Sequence, residues 1–240
     1  MRQYRKWGWG LGIASVTAVI AFGVASWQVN AAPTPGASPG AEQPRVSDPD
    51  PGPEPTAGTG NDALTSAEVE KAREIAVTPE LKEKAKDASG AAGPEFLSAD
   101  IVDTDGGRRA EVYLYDYATN NLIKQVVDLG GSKLTDSYSA AGLHLPASAH
   151  EVDTALDLLL ADPLASEFKD AYAKATGSQF AGKDGLKTTA HVFKAQAADP
   201  AVAQCGEHRC LRLIVEAKGR YLDLGHLIID LSGRTVARLS

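Results

Sequence analysis

Cys205 and Cys210 are the chain's two cysteines, and they bracket Gly206-Glu207-His208-Arg209. In an oxidising compartment two thiols at this spacing pair as a disulfide that closes a short turn. So short a loop gains less than the usual stabilisation of about 2–4 kcal/mol. The competing chemistry is a soft-metal site. With His208 as third ligand, the same thiols would hold Cu(I). The histidines are His144, His150, His191, His208 and His226, and none pairs at the i, i+4 spacing of a helical metal site. Tyr113, Tyr115 and Tyr117 alternate along one predicted strand. Their rings suit either a platform for sugars or aromatic groups, or a contact between packed units. Asp128 and Asp230 stand at equivalent strand ends, where a carboxylate caps a turn. Gly-x-Ser-x-Gly, His-Glu-x-x-His and phosphate-loop motifs are absent from the sequence. The residues therefore assign no catalytic group and no cofactor.

These side chains sit in a duplicated scaffold. Val126-Val127-Asp128-Leu129-Gly130-Gly131 returns as Ile228-Ile229-Asp230-Leu231-Ser232-Gly233, and Thr65-Ser66-Ala67-Glu68-Val69 returns as Ser148-Ala149-His150-Glu151-Val152. Thr65 with Glu68 and Ser148 with Glu151 each spell a capping box, in which side chain and backbone satisfy each other's orphan amides. Thr78-Pro79 and Asp162-Pro163 predict a restart of each helix with Pro at its first position. Leu164, Phe168 and Tyr172 share a helical face that Gly177 ends. Strands are predicted at 110–117, 122–129, 186–195, 210–217, 221–231 and 235–239, with Asn120-Asn121, Gly130-Gly131, Gly219 and Ser232-Gly233 at turns. The expected fold is α+β: two tandem helix-plus-antiparallel-meander units, 62–140 and 141–240.

Outside these units lie two segments without a core. Arg2, Arg5 and Lys6 precede an uncharged apolar run over 7–27. As a helix it would be about 30 Å long, enough to cross a bilayer. Val29-Asn30-Ala31 offers small residues for cleavage. Residues 1–31 thus read as a cleaved signal peptide or a retained signal anchor, and either places the body outside the cytoplasm. Residues 32–61 read as a disordered, Pro-rich linker, since eight of the thirteen prolines fall within 32–60. The chain carries −7 from 24 basic and 31 acidic residues. An acidic body without a basic stripe argues against nucleic acid as a partner.

Arg109–Leu129 (RAEVYLYDYATNNLIKQVVDL), followed by Pro146 and the segment Glu151–Gly177 with its central Asp162-Pro163, resembles the small tandem N-terminal domains of bacterial copper amine oxidases. That resemblance implies cystatin-like αβ units flanking a catalytic core rather than containing it. The 240 residues are expected to leave no room for the family's large β-sandwich. Its quinone motif, Thr-x-x-Asn-Tyr-Asp/Glu, has no match. Tyr115-Asp116-Tyr117 lacks the preceding Asn, and Thr119-Asn120-Asn121 lacks the Tyr. The family's copper-binding His-x-His pair is missing too.

The expectation is an exported, non-enzymatic module that binds an extracytoplasmic protein. By analogy to the family, an amine-oxidase-like polypeptide is one candidate partner. Extracytoplasmic copper handling through Cys205, His208 and Cys210 is the second reading, and an envelope hydrolase with an unrecognised site the third.

Overall fold

The computed structural model describes residues 52–102, 107–196 and 199–239. The signal or anchor segment and the linker up to residue 51 lie outside the described residues. Among those described, no helix is long and apolar enough to cross a membrane.

Each half begins where its capping box predicts. Thr65 Oγ1 accepts from Glu68 N at 3.2 Å while Thr65 N donates to Glu68 at 3.0 Å, opening α1 (Ser66–Ala76). Thr78 caps α2 (Pro79–Lys84), with Pro79 in its first turn. Four strands follow as an antiparallel meander: β1 (Glu95–Val102), β2 (Arg109–Asp116), β3 (Asn121–Asp128) and β4 (Lys133–Ala141). Ser148 and Glu151 repeat the box at the start of α3 (Ala149–Ala161), and α4 (Ala165–Thr176) ends at Gly177, whose φ is +68°. The second sheet has β5 (Leu186–Phe193), β6 (Cys210–Ala217), β8 (Leu227–Asp230) and β9 (Thr235–Arg238) in that spatial order. A two-residue β7 (Arg220–Tyr221) turns back on β6. The chain is thus α+β, with helices laid on antiparallel sheets.

The duplicated aspartates do the same job twice. Asp128 accepts from Gly131 N at 3.0 Å, and Asp230 accepts from Gly233 N at 2.8 Å. Ser132 and Arg234, four residues after each aspartate, share the left-handed conformation at φ +50° and +53°. The first core is thin: α1 presents Ala72 and Ala76 to Val112, Leu114 and Val127. The second is bulkier, with Leu156, Leu159 and Phe168 on Leu211, Leu213 and Ile229. Each fully buried Leu or Phe stabilises by roughly 1.5–3 kcal/mol relative to exposure, so the second half holds the larger hydrophobic reserve.

Two predicted elements differ from the structure, and two strands lie outside the prediction. The strand expected over 221–231 breaks at 222–226, where Leu227 N bonds back to Leu224 O at 2.9 Å. The ladder on β6 then resumes out of step, from Glu216↔Tyr221 to Leu211↔Ile229. Neither β1 nor β4 is among the predicted strands, because half-buried β1 and largely exposed β4 show no apolar alternation. Asp162 does not start α4 directly. Its carboxylate accepts from Leu164 N at 2.8 Å, and the helix follows from Ala165.

Candidate functional site

Each capping-box glutamate meets an arginine that immediately precedes the second strand of its sheet. In the first half, Arg108 Nε and Nη2 fork onto Glu68 at 2.7 and 2.8 Å. In the second, Arg209 Nε and Nη2 fork onto Glu151 at 2.5 and 2.8 Å. Both arginines spend their remaining donors on backbone carbonyls. Arg108 reaches Gly60, Asp62 and Ala63, and Arg209 reaches Leu145 and Pro146. Their own carbonyls accept from Leu129 N and Leu231 N. The clamp is a structural repeat that sequence reading missed. The glutamates were singled out as caps, but their partners lie 40 and 58 residues away.

The tyrosines end up on the second clamp. Tyr115 is fully buried with the Arg209 guanidinium 5.2 Å from its ring centre, and Tyr117 OH donates to Glu151 at 2.6 Å. Burial pushes the Tyr115 phenol up to about 12 and the Tyr117 phenol far above its ordinary range. Tyr113 stays half-buried and donates to Glu111 at 2.6 Å, a bond that raises its phenol to about 12. The stripe is therefore no open platform of three rings. It joins the first sheet to the ion pair of the second half. Counting from the two clamp arginines, the places of Tyr113, Tyr115 and Tyr117 fall in the second half on Ile214, Glu216 and Lys218.

Arg108 is covered differently, by the stretch 54–63 from the end of the predicted linker. Glu54 accepts from Ser66 N at 2.8 Å, and Thr65 Oγ1 donates to Thr56 O at 3.2 Å. A Cβ on Gly58 would stand 2.3 Å from Arg108 Nη2, so any other residue there would push the guanidinium aside. Arg108 bonding holds the Glu68 carboxyl down at about 2.

Cys205 and Cys210 form a disulfide with Cα atoms 5.5 Å apart, which removes the Cu(I) set from consideration. His208 instead bonds through Nδ1 to Asp230 at 2.7 Å. The disulfide loop covers a small apolar cluster that includes Val202 and Ile228. His144 Nε2 bonds Gly206 O at 3.0 Å, His226 bonds Glu167 at 2.7 Å, and His191 is exposed on β5. His150 Nδ1 bonds Glu95 at 2.8 Å, which raises the imidazole above its ordinary value. Asp128 and Asp230 cap turns of different sheets and make no carboxylate pair.

A concave surface lies between α3 and β5. It is a groove of about 580 Å³ lined by Val152, Leu156, Leu186, Thr188 and Ala190, with Asp153 and Lys183 at its rim. β5 is an edge strand. It pairs with β6 on one side, and among the described residues no strand pairs with the other. Its alternation turns Leu186, Thr188, Ala190 and Val192 inward and leaves Lys187, Thr189 and His191 exposed. An unpaired ladder beside an apolar trough is the geometry by which an extended peptide adds to a sheet.

No family model matches the chain, and no curated protein matches it. Among solved structures, it is similar to a copper-containing benzylamine oxidase from Hansenula polymorpha. The identity is 10% and the TM-score 0.44, over 75% of this chain and 30% of that one.

Proposed function

We propose that this protein is an exported, non-catalytic accessory module that docks an extended segment of an extracytoplasmic protein against β5. The observation that carries the reading is the free β5 edge running along the α3 groove. Main-chain bonds to the edge supply affinity without regard to sequence, and the trough selects an apolar side chain at alternate positions. Lys183 beside the groove pairs with Asp153 at 3.7 Å and with Asp157 at 2.8 Å, so polar neighbours of that side chain would meet an ion-paired cluster. The disulfide and the basic start with its apolar run support export.

The test is capture of partners from envelope and culture fluid with the tagged protein, then Kd measurement on the purified partner. Ala190→Arg fills the groove and is expected to weaken binding at least tenfold. Ser137→Arg, on the edge strand of the other sheet, is expected to leave it unchanged. Equal affinity for Ala190→Arg and the parent would overturn the β5 site.

A further inference from the structure

Asp87, Glu95 and His150 come from three places in the chain: the loop after α2, the first residue of β1 and the first turn of α3. Each offers one ligand atom, and those atoms all lie within 4.8 Å of one another. Glu95 is only 4% exposed, and its side chain, with those of Asp87 and His150, lines an open cavity of about 390 Å³. We infer that this cluster binds a divalent first-row transition ion of the Zn²⁺ class, bridging the two halves of the molecule.

The donor set selects the ion. One imidazole and two carboxylates suit Zn²⁺ and its neighbours, whereas Ca²⁺ and Mg²⁺ take all-oxygen shells and Cu(I) prefers sulfur. Three protein ligands leave a fourth position open to the cavity for water. At metal–ligand distances of about 2.0–2.1 Å, tetrahedral ligand atoms stand roughly 3.4 Å apart. His150 and Glu95, now at 2.8 Å, would separate slightly while Asp87 swings in.

The supporting shell is in place. Ser148 Oγ donates to Glu95 at 2.7 Å and Ala88 N at 3.3 Å, fixing the carboxylate. Asp87 takes Ser89 N, Ser89 Oγ and Ala91 N all on Oδ1, and among the described residues no hydrogen bond falls on Oδ2. Such outer bonds orient ligands and tune their basicity. The α3 N-terminus contributes about half a positive charge, which two carboxylates outweigh.

The competing account is a plain His150–Glu95 ion pair, and Asp87→Asn separates the two. Asn keeps the Oδ1 acceptor for the 89–91 turn and loses only the anionic oxygen. Calorimetric titration of the disulfide-intact full chain with Zn²⁺ at pH 7.5, about neutral, is expected to show one equivalent bound. Asp87→Asn and His150→Gln should each weaken it at least tenfold, with unchanged circular dichroism. Mg²⁺ and Ca²⁺ should give no binding. Absence of Zn²⁺ binding in the parent, or binding undiminished in both variants, overturns the site. Neither result bears on the β5 groove, which shares no ligand with the cluster.

Discussion

In the first half the Glu68–Arg108 pair lies under the stretch 54–63, whereas in the second the Glu151–Arg209 pair lies under the rings of Tyr115 and Tyr117. The hydrogen-bond pattern is otherwise the same, down to the carbonyl that accepts from Leu129 or Leu231. What differs is the solvent. Both side chains of the second pair are 0% exposed, and those of the first retain 14% and 7%. One local device thus serves two purposes. In the first half it fastens a peptide strap. Between the halves it fastens one sheet to the other.

The comparison breaks most visibly at Arg209. Arg209→Met leaves Glu151 buried without its cation, and the expected loss is about 3–5 kcal/mol. Chemical denaturation should read it as a lower midpoint. Glu151→Leu added to Arg209→Met should recover part of the loss, because no unpaired charge then remains. A double variant no better than the single one would mean that the ion pair does not account for the loss.

Arg108→Met should cost less, because this pair keeps contact with solvent. It carries a pH signature of its own. Glu68 is held near 2 against an ordinary 4.5. A depressed carboxyl stabilises the fold above its unfolded value, and that stabilisation is lost as pH falls from about 4.5 towards 2. Acid titration of unfolding free energy should show this loss in the parent and a shallower one in Arg108→Met. Identical acid profiles would remove Glu68–Arg108 as its source.

Smallest is Tyr117→Phe, which deletes the hydroxyl on Glu151 and keeps the ring. We expect about 1 kcal/mol. The effect should vanish in a Glu151→Leu background, as double-mutant cycles require of a direct bond.

Both capping boxes, both Asp–Gly turns and the disulfide were legible in the sequence, because each is settled within six residues of chain. The clamps were not. Arg108 and Arg209 stand before strands with no local partner, and only the fold brings them to Glu68 and Glu151. The Asp87–Glu95–His150 cluster escaped for the same reason, since no spacing rule spans a loop, a strand and a helix. β1 and the break at 222–226 failed differently. Glu95-Phe96-Leu97-Ser98 shifts register at a bulge and loses its period. Leu222, Leu224 and Leu227 are apolar straight through a turn, so periodicity hides it. The Tyr113–Tyr117 stripe was visible as a pattern, but which of its two uses prevailed depended on where the second half docked.

The two outward faces of this pair of units differ. The leading clamp is already occupied by its strap, so a unit added in front would have to displace 54–63 before its own tyrosines could seat. At the trailing sheet, Glu216 and Lys218 stand where Tyr115 and Tyr117 do the joining, so a unit appended behind would find charge in place of rings. Solenoids are designed by repeating one interface, and terminal repeats must be made different to stop growth. Lengthening this scaffold by copying 141–240 would therefore fail at its first new seam, unless Glu216→Tyr and Lys218→Tyr were written in beforehand.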